Sequence, residues 1–203
     1  MENEKLVEWE LDDIMGELRA ISLVSAPATE VEELMLFSKE VQNFKTISAE
    51  EQIITGLAMR PNIKIPRKDE NGELYYGFFS EETVKKAQQL FFKKNSNSNN
   101  TNLEHEFQID GVYTFESWIV ADPELDKTKA LGFTDVRKGD WFCSMKIDNN
   151  DVWTDFIKTG YIKGFSVEIR TSEKEVSLSA LLDIVDSDVL SVEEKLKELN
   201  RLL

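Results

Sequence analysis

The stretch from Leu103 to Val120 constrains this chain most. Two runs of alternating apolar and polar residues flank Asp110-Gly111, a pair whose readiness for positive φ suits a two-residue hairpin turn. Such a turn sets the pairing by itself, opposing Ile109 to Val112, Gln108 to Tyr113, Phe107 to Thr114, Glu106 to Phe115 and His105 to Glu116. Because side chains alternate along a strand, Leu103, His105, Phe107, Ile109, Val112, Thr114, Glu116, Trp118 and Val120 then share one mainly apolar face. The register predicts His105 and Glu116 side by side, with Cβ atoms about 5 Å apart.

Other segments repeat the theme of short strands between turns. Ile21 to Pro27 reads as a strand that ends at a proline, and Ser48-Ala-Glu-Glu-Gln-Ile-Ile54 as the opening of another short element. Asn62 to Pro66 and Glu73 to Phe79 form a second predicted hairpin about Asn71-Gly72. Ser80 then stands where a helix cap is wanted, Glu81 and Glu82 favour the first turn electrostatically, and Val84, Ala87, Leu90 and Phe91 recur at helical spacing. Residues 95–102 are a polar, low-complexity run of Asn, Ser and Thr, expected to be a mobile loop. Trp141 to Ile147 is a strand, Asn149-Asn-Asp151 starts a short helix that Gly160 ends, and Tyr161 to Arg170 is a further strand. In that last strand Phe165, Val167 and Ile169 share one face, while Ser166, Glu168 and Arg170 share the other. Ser191-Val-Glu-Glu194 matches a capping box ahead of Leu196, Leu199, Leu202 and Leu203. The predicted organisation is one domain over 1–176 and an acidic, helical C-terminal tail over 177–203.

Composition removes several classes of function. With 39 Asp and Glu against 24 Lys and Arg, the chain carries a formal charge of -15. Nucleic acid is therefore not expected as a partner, because binding a phosphate backbone draws its free energy from basic side chains displacing counterions. One cysteine and one histidine permit neither an internal disulfide nor a Cys/His zinc site. No apolar run approaches the roughly 20 residues that span a bilayer, and Met1 to Lys5 does not read as the start of a secretory signal. No phosphate-binding glycine fingerprint is present, so no cofactor is expected. Asp148-Asn-Asn-Asp151 lacks the EF-hand pattern and reads as a helix cap.

A neutral imidazole held in one tautomer by a carboxylate can make a serine hydroxyl nucleophilic at neutral pH, because the base takes the proton as the oxygen attacks. His105 and Glu116 supply such a pair. Spacing alone leaves the plainer alternative open, a core histidine satisfied by Glu116 or by a backbone carbonyl. Ser166 follows Gly164 by two residues, but Glu168 stands where the hydrolase elbow would have its second glycine.

Taken in order, Ile65-Pro-Arg-Lys-Asp-Glu-Asn-Gly72, Tyr75-Tyr-Gly-Phe-Phe-Ser80, Leu103-Glu-His105, Glu116-Ser-Trp-Ile-Val-Ala-Asp122, Asp151-Val-Trp153 and Ile162-Lys-Gly-Phe-Ser-Val-Glu168 resemble the XkdF-like phage serine protease family. Ile21 to Pro27 is similar to the start of such proteins, so the resemblance spans about residues 20–172. That family is similar to prohead maturation proteases and, through them, to herpesvirus capsid proteases. The resemblance implies an α+β fold, a mostly antiparallel β-barrel surrounded by helices. It implies Ser166 as nucleophile and His105 as general base. For the third member the hairpin register selects Glu116, with Glu168 as runner-up, about 6.6 Å along the strand from Ser166. Backbone N–H groups are the expected oxyanion donors. The implied function is a phage or prophage serine endopeptidase that cleaves scaffold and capsid proteins, and itself, inside assembling proheads in the host cytoplasm. Self-association is implied in the same way. The competing expectation is a noncatalytic assembly module that binds scaffold through its C-terminal helix.

Overall fold

The computed structural model of the protein describes residues 5–11, 18–25, 44–69, 71–93, 99–169, 171–176 and 191. The C-terminal tail, apart from Ser191, therefore lies outside the described residues, as do Ala26 and Pro27. In chain order the strands are β1 (Leu6–Glu10), β2 (Leu18–Val24), β3 (Phe44–Ser48), β4 (Ile53–Met59), β5 (Ile65–Lys68), β6 (Leu74–Phe78), β7 (Thr101–Leu103), β8 (Phe107–Ile109), β9 (Val112–Ile119), β10 (Trp141–Ile147), β11 (Gly164–Ile169) and β12 (Ser172–Val176). Helix α1 (Glu81–Lys93) lies between β6 and β7. The short α2 (Lys127–Ala130) and α3 (Asn150–Val152) follow, and α3 runs on as a π-turn over Trp153–Ile157.

These strands make three open four-stranded sheets, ordered β12-β1-β6-β5, β3-β4-β10-β9 and β11-β2-β7-β8. Among the described residues the expected helix-surrounded barrel is thereby corrected to a mostly-β fold with few helices and no closed barrel. Closure requires one continuous ladder with a consistent stagger. Here the ladder is interrupted wherever the chain changes sheets, and β7 and β8 are only three residues long. Most pairings are antiparallel, but β1 joins β6 and β2 joins β7 in parallel.

The largest local correction falls on Asp110-Gly111. Gly111 does take a positive φ of 75°, yet the strands on either side of it do not pair. β8 pairs with β7, Leu103 opposite Phe107, while β9 pairs with β10 along its length. The Gly111 carbonyl accepts instead from the Asp148 and Asn149 N–H groups at 2.7 and 3.2 Å, and Asn149 Nδ2 donates to the Asp110 carbonyl at 3.1 Å. The turn residues thus anchor a crossing between sheets. Of the expected loop over 95–102, residues 95–98 lie outside the described residues, and Thr101 and Asn102 are buried members of β7.

Elsewhere the local rules hold. β5 and β6 pair antiparallel from Ile65 opposite Gly77 to Lys68 opposite Leu74. The Ser80 hydroxyl accepts the Thr83 N–H at 3.3 Å, and α1 buries Val84, Ala87 and Phe91. The Asn149 side chain accepts from both the Asp151 and Val152 N–H groups, and Gly160 follows with φ 73°. The main core joins the three sheets and α1, with Phe44 stacked on Phe165 at 5.8 Å and Phe91 edge-on to Trp141 at 6.0 Å. A smaller cluster of Leu57, Val120 and Phe142 lies on the other side of β4 and β10.

Candidate functional site

His105 sits in the turn between β7 and β8, where its backbone is unusual. Glu104 and His105 have φ of 53° and 61°, and the Glu106 N–H donates to the Leu103 carbonyl at 3.0 Å. Two successive positive φ values closed by that bond make a primed turn, the type for which Asn and Gly are preferred. With side chains larger than Gly at both positions, the turn costs on the order of 1–2 kcal/mol per residue. The end of β2 holds it in place: the Glu104 N–H donates to the Leu23 carbonyl at 3.0 Å, and Glu104 Oε1 accepts the Ser25 N–H at 2.8 Å. A third contact reaches the ring itself, where His105 Nδ1 is 2.9 Å from Ser22 Oγ.

Ser166 comes to the same place by strand pairing. β11 runs antiparallel to β2 with Ser166 directly opposite Ser22, so the two side chains project from the same face with Cβ atoms about 5 Å apart. Gly164 and Glu168 share that face, while Phe165 turns the other way into the core. Among the described strands β11 ends its sheet. Ser166 and His105 both line a cleft of about 550 Å³ whose walls also include Trp9, Arg67, Tyr75 and Glu168. Arg60 borders it too, but its guanidinium is committed to Asp140 at 2.8 and 2.9 Å and to Asp135 at 2.6 Å. Burial works against ionisation of Asp135, yet the guanidinium beside it keeps its carboxyl below the ordinary range. A larger hollow of about 1120 Å³ opens beside β1 and α1 among Glu8, Glu82, Lys64 and Lys86. The chain's only histidine is not in it, so the smaller cleft carries the candidate chemistry.

The two carboxylates considered from sequence are placed differently. Glu116 lies on β9 and is not brought to His105. Opposite it the ladder slips between Ser144 and Met145, leaving Phe115 as an extra residue, so that Thr114 and Glu116 face opposite sides of the sheet. Thr114 turns toward the core, whereas Glu116 accepts from Ser144 Oγ at 3.0 Å and pairs with Lys127. Its pKa is lowered, chiefly by the Lys127 ammonium and secondarily by Ser144, against a partial desolvation that acts the other way. Phe44, on the inner face of this sheet, stacks on Phe165 of β11. Glu116 therefore occupies the face turned away from Ser166. Glu168 does line the cleft, and its Oε2 accepts from Asn102 Nδ2 at 3.4 Å.

Sequence reading missed Ser22. It is fully buried, and its strand was legible, but nothing local in it announces a partner 83 residues away in a turn or 144 residues away on β11. The long-range pairing alone makes it part of the site.

No curated protein and no solved structure matches the chain. A family model does: the one described as "Putative phage serine protease XkdF" matches residues 40–175, a span that contains both His105 and Ser166 and begins after Ser22. The chain belongs to that phage serine protease family.

Proposed function

We propose that the protein is a serine endopeptidase of phage prohead maturation, with Ser166 as nucleophile, His105 as general base, and scaffold and capsid proteins as substrates. The observation that carries this reading is the convergence of the two residues on one cleft. Ser166 stands opposite Ser22 across the β2–β11 pair, and His105 is hydrogen-bonded to that same Ser22. With Nδ1 engaged there, Nε2 is the ring nitrogen left to serve Ser166. As Ser166 Oγ attacks the scissile carbonyl, its proton passes to Nε2 and the carbonyl π electrons move onto oxygen. Collapse of that intermediate breaks the C–N bond, and the amine leaves with the proton from Nε2. Water then repeats the sequence on the acyl-enzyme, returning the proton to Ser166.

The cleft suits a peptide substrate. An extended chain can add by main-chain hydrogen bonds to β11, which ends its sheet among the described strands, with side chains reaching Trp9, Tyr75 and the Arg67 guanidinium. The strained turn at Glu104-His105 fits the same reading, since unfavourable backbone conformations concentrate where a side chain must be aimed. Glu116 is left out of the site because its pairing with Ser144 and Lys127 lies on the far face.

The test is co-expression with the neighbouring capsid and scaffold proteins, following their processing by mass. Wild type is expected to yield new termini, and Ser166→Ala and His105→Ala to yield none. Equal processing by wild type and Ser166→Ala would sink the proposal, and failure of wild type to cleave any of these proteins would remove the prohead substrates from it.

A further inference from the structure

Among the described residues no carboxylate is bonded to the His105 imidazole. Glu104, beside it in the chain, and Glu168, in the same cleft, are otherwise engaged: Glu104 Oε1 accepts the Ser25 N–H at 2.8 Å, and Glu168 Oε2 accepts from Asn102 at 3.4 Å. The atom that does meet Nδ1 is Ser22 Oγ at 2.9 Å. Ser22 has no exposed surface, whereas Ser166 keeps a little, so only the latter can reach a substrate. A hydroxyl can serve the ring in either sense, accepting from Nδ1–H or donating to a bare Nδ1. Only the first leaves a lone pair on Nε2 for the nucleophile's proton.

The surroundings favour that sense. If Ser22 Oγ accepts from the ring, its own proton needs an acceptor. Leu23 pairs with Leu103 in the parallel β2–β7 contact, which puts Ser22 and Asn102 on the same face of neighbouring strands. Asn102 Oδ1 is buried and has no hydrogen-bond partner among the described residues. A buried acceptor left unpaired is unfavourable, and one water joining it to the Ser22 hydroxyl proton relieves that cost. The Asn102 amide is itself oriented by Glu168.

We propose that Ser22 is the positioning residue of this site, its hydroxyl accepting the Nδ1–H of His105 and so holding the imidazole in the tautomer whose Nε2 keeps its lone pair for the Ser166 proton. The role in catalysis rests on the protease reading above, but the tautomer does not, and the experiment separates them. His105 is the only histidine in the chain, so selective ¹⁵N-histidine labelling gives a two-nitrogen spectrum with no assignment problem. Above the titration of the ring, wild type is expected to show the Nδ1–H form. Ser22→Ala is expected to revert toward the Nε2–H form that free imidazole prefers, Ser22→Thr to retain the wild-type pattern, and Ser166→Ala to leave it unchanged. The rate of Ser166 phosphonylation by a fluorophosphonate, in which a P–O bond forms and fluoride leaves, should fall about tenfold to a hundredfold in Ser22→Ala, the kinetic equivalent of one lost hydrogen bond to a group that becomes charged. An Nε2–H tautomer in wild type, which needs no variant to fold, would overturn the proposal, as would an unchanged tautomer in folded Ser22→Ala or a fluorophosphonate adduct on Ser22. A wild-type protein with the expected tautomer but an unreactive Ser166 would instead count against the protease reading.

Discussion

Ser144 and Ser166 are both buried, and their surroundings suit them to opposite roles. Ser144 Oγ donates to Glu116 Oε2 at 3.0 Å, so at 2.8 Å from Thr55 it must accept. Its proton and lone pairs are both spoken for, and its acidic neighbour is held ionised by Lys127. A carboxylate kept in its charged form by an ammonium is a poor base for a hydroxyl. Ser166 instead faces a cleft beside an imidazole whose other nitrogen is already fixed by Ser22. A hydroxyl becomes a nucleophile when its proton has a base of suitable pKa to go to and its oxygen has open space in front of it. Of the two, only Ser166 shares a cleft with the imidazole.

The largest effect expected from this contrast is on turnover. Ser166→Ala should lower cleavage by at least about 10³-fold, roughly 4 kcal/mol of barrier, with the folded state unchanged in circular dichroism and in unfolding midpoint. Ser144→Ala should show the converse, with cleavage within a few-fold of wild type. It leaves the Thr55 hydroxyl buried without its partner, and a loss of about 1–3 kcal/mol in denaturant unfolding is expected. Loss of activity in folded Ser144→Ala with Ser166→Ala indifferent would reverse the assignment.

A substitution at Gly77 probes both properties at once. A Cβ there would fall 2.0 Å from the Trp9 ring. Trp9 packs against Phe79 at 5.0 Å between centroids, carries the Arg67 guanidinium over its face, and walls the cleft. Gly77→Ala must push the indole from its place, which is expected to destabilise by about 1–3 kcal/mol and to raise KM more than it lowers kcat, because Ser166 and His105 lie on other elements, β11 and the β7–β8 turn. An unchanged KM in the folded variant would show that the Trp9 wall takes no part in holding substrate.

The same contrast explains what could be read from sequence. Trp141 to Ile147, the Ser80 and Asn149 caps and the β5–β6 hairpin were all legible, because each is decided by residues a few positions apart. The Asp110-Gly111 signal was equally local, and its turn conformation does form. What it could not report is that β7 stands ready to pair with β8 and β10 with β9. A turn pair states that the chain bends, and long-range competition decides which strands then meet. The extra residue at Phe115 had a similar effect, since one bulge reverses every face assignment beyond it and carried Glu116 away from the core side. His105 was singled out by the hairpin register and Ser166 by resemblance to known motifs, whereas Ser22 depended on a strand pairing that no periodicity encodes.

The smallest expected effect concerns Glu116. If it oriented His105, Glu116→Gln would cost orders of magnitude in rate, as loss of the orienting acid does in a triad. Its place beside Ser144 and Lys127 predicts a change of less than about twofold in cleavage, since no charge on that face couples closely to the cleft. The effect should be sought in stability against pH. The folded-state pKa of Glu116 is depressed, so the stabilisation from its ion pair is present above the ordinary glutamate pKa of about 4.3 and is lost as pH falls through the lower folded value. The Lys127 ammonium also lies 3.4 Å above the Trp118 ring. Lys127→Met removes the ammonium while keeping a long apolar stem. Its unfolding midpoint is expected to fall slightly below wild type at neutral pH, and the gap to narrow in acid as Glu116 is protonated in both proteins. A gap that stays constant from neutral pH into acid would assign the loss to the Trp118 contact rather than to Glu116, and a large loss of cleavage in Glu116→Gln would return that carboxylate to the active site.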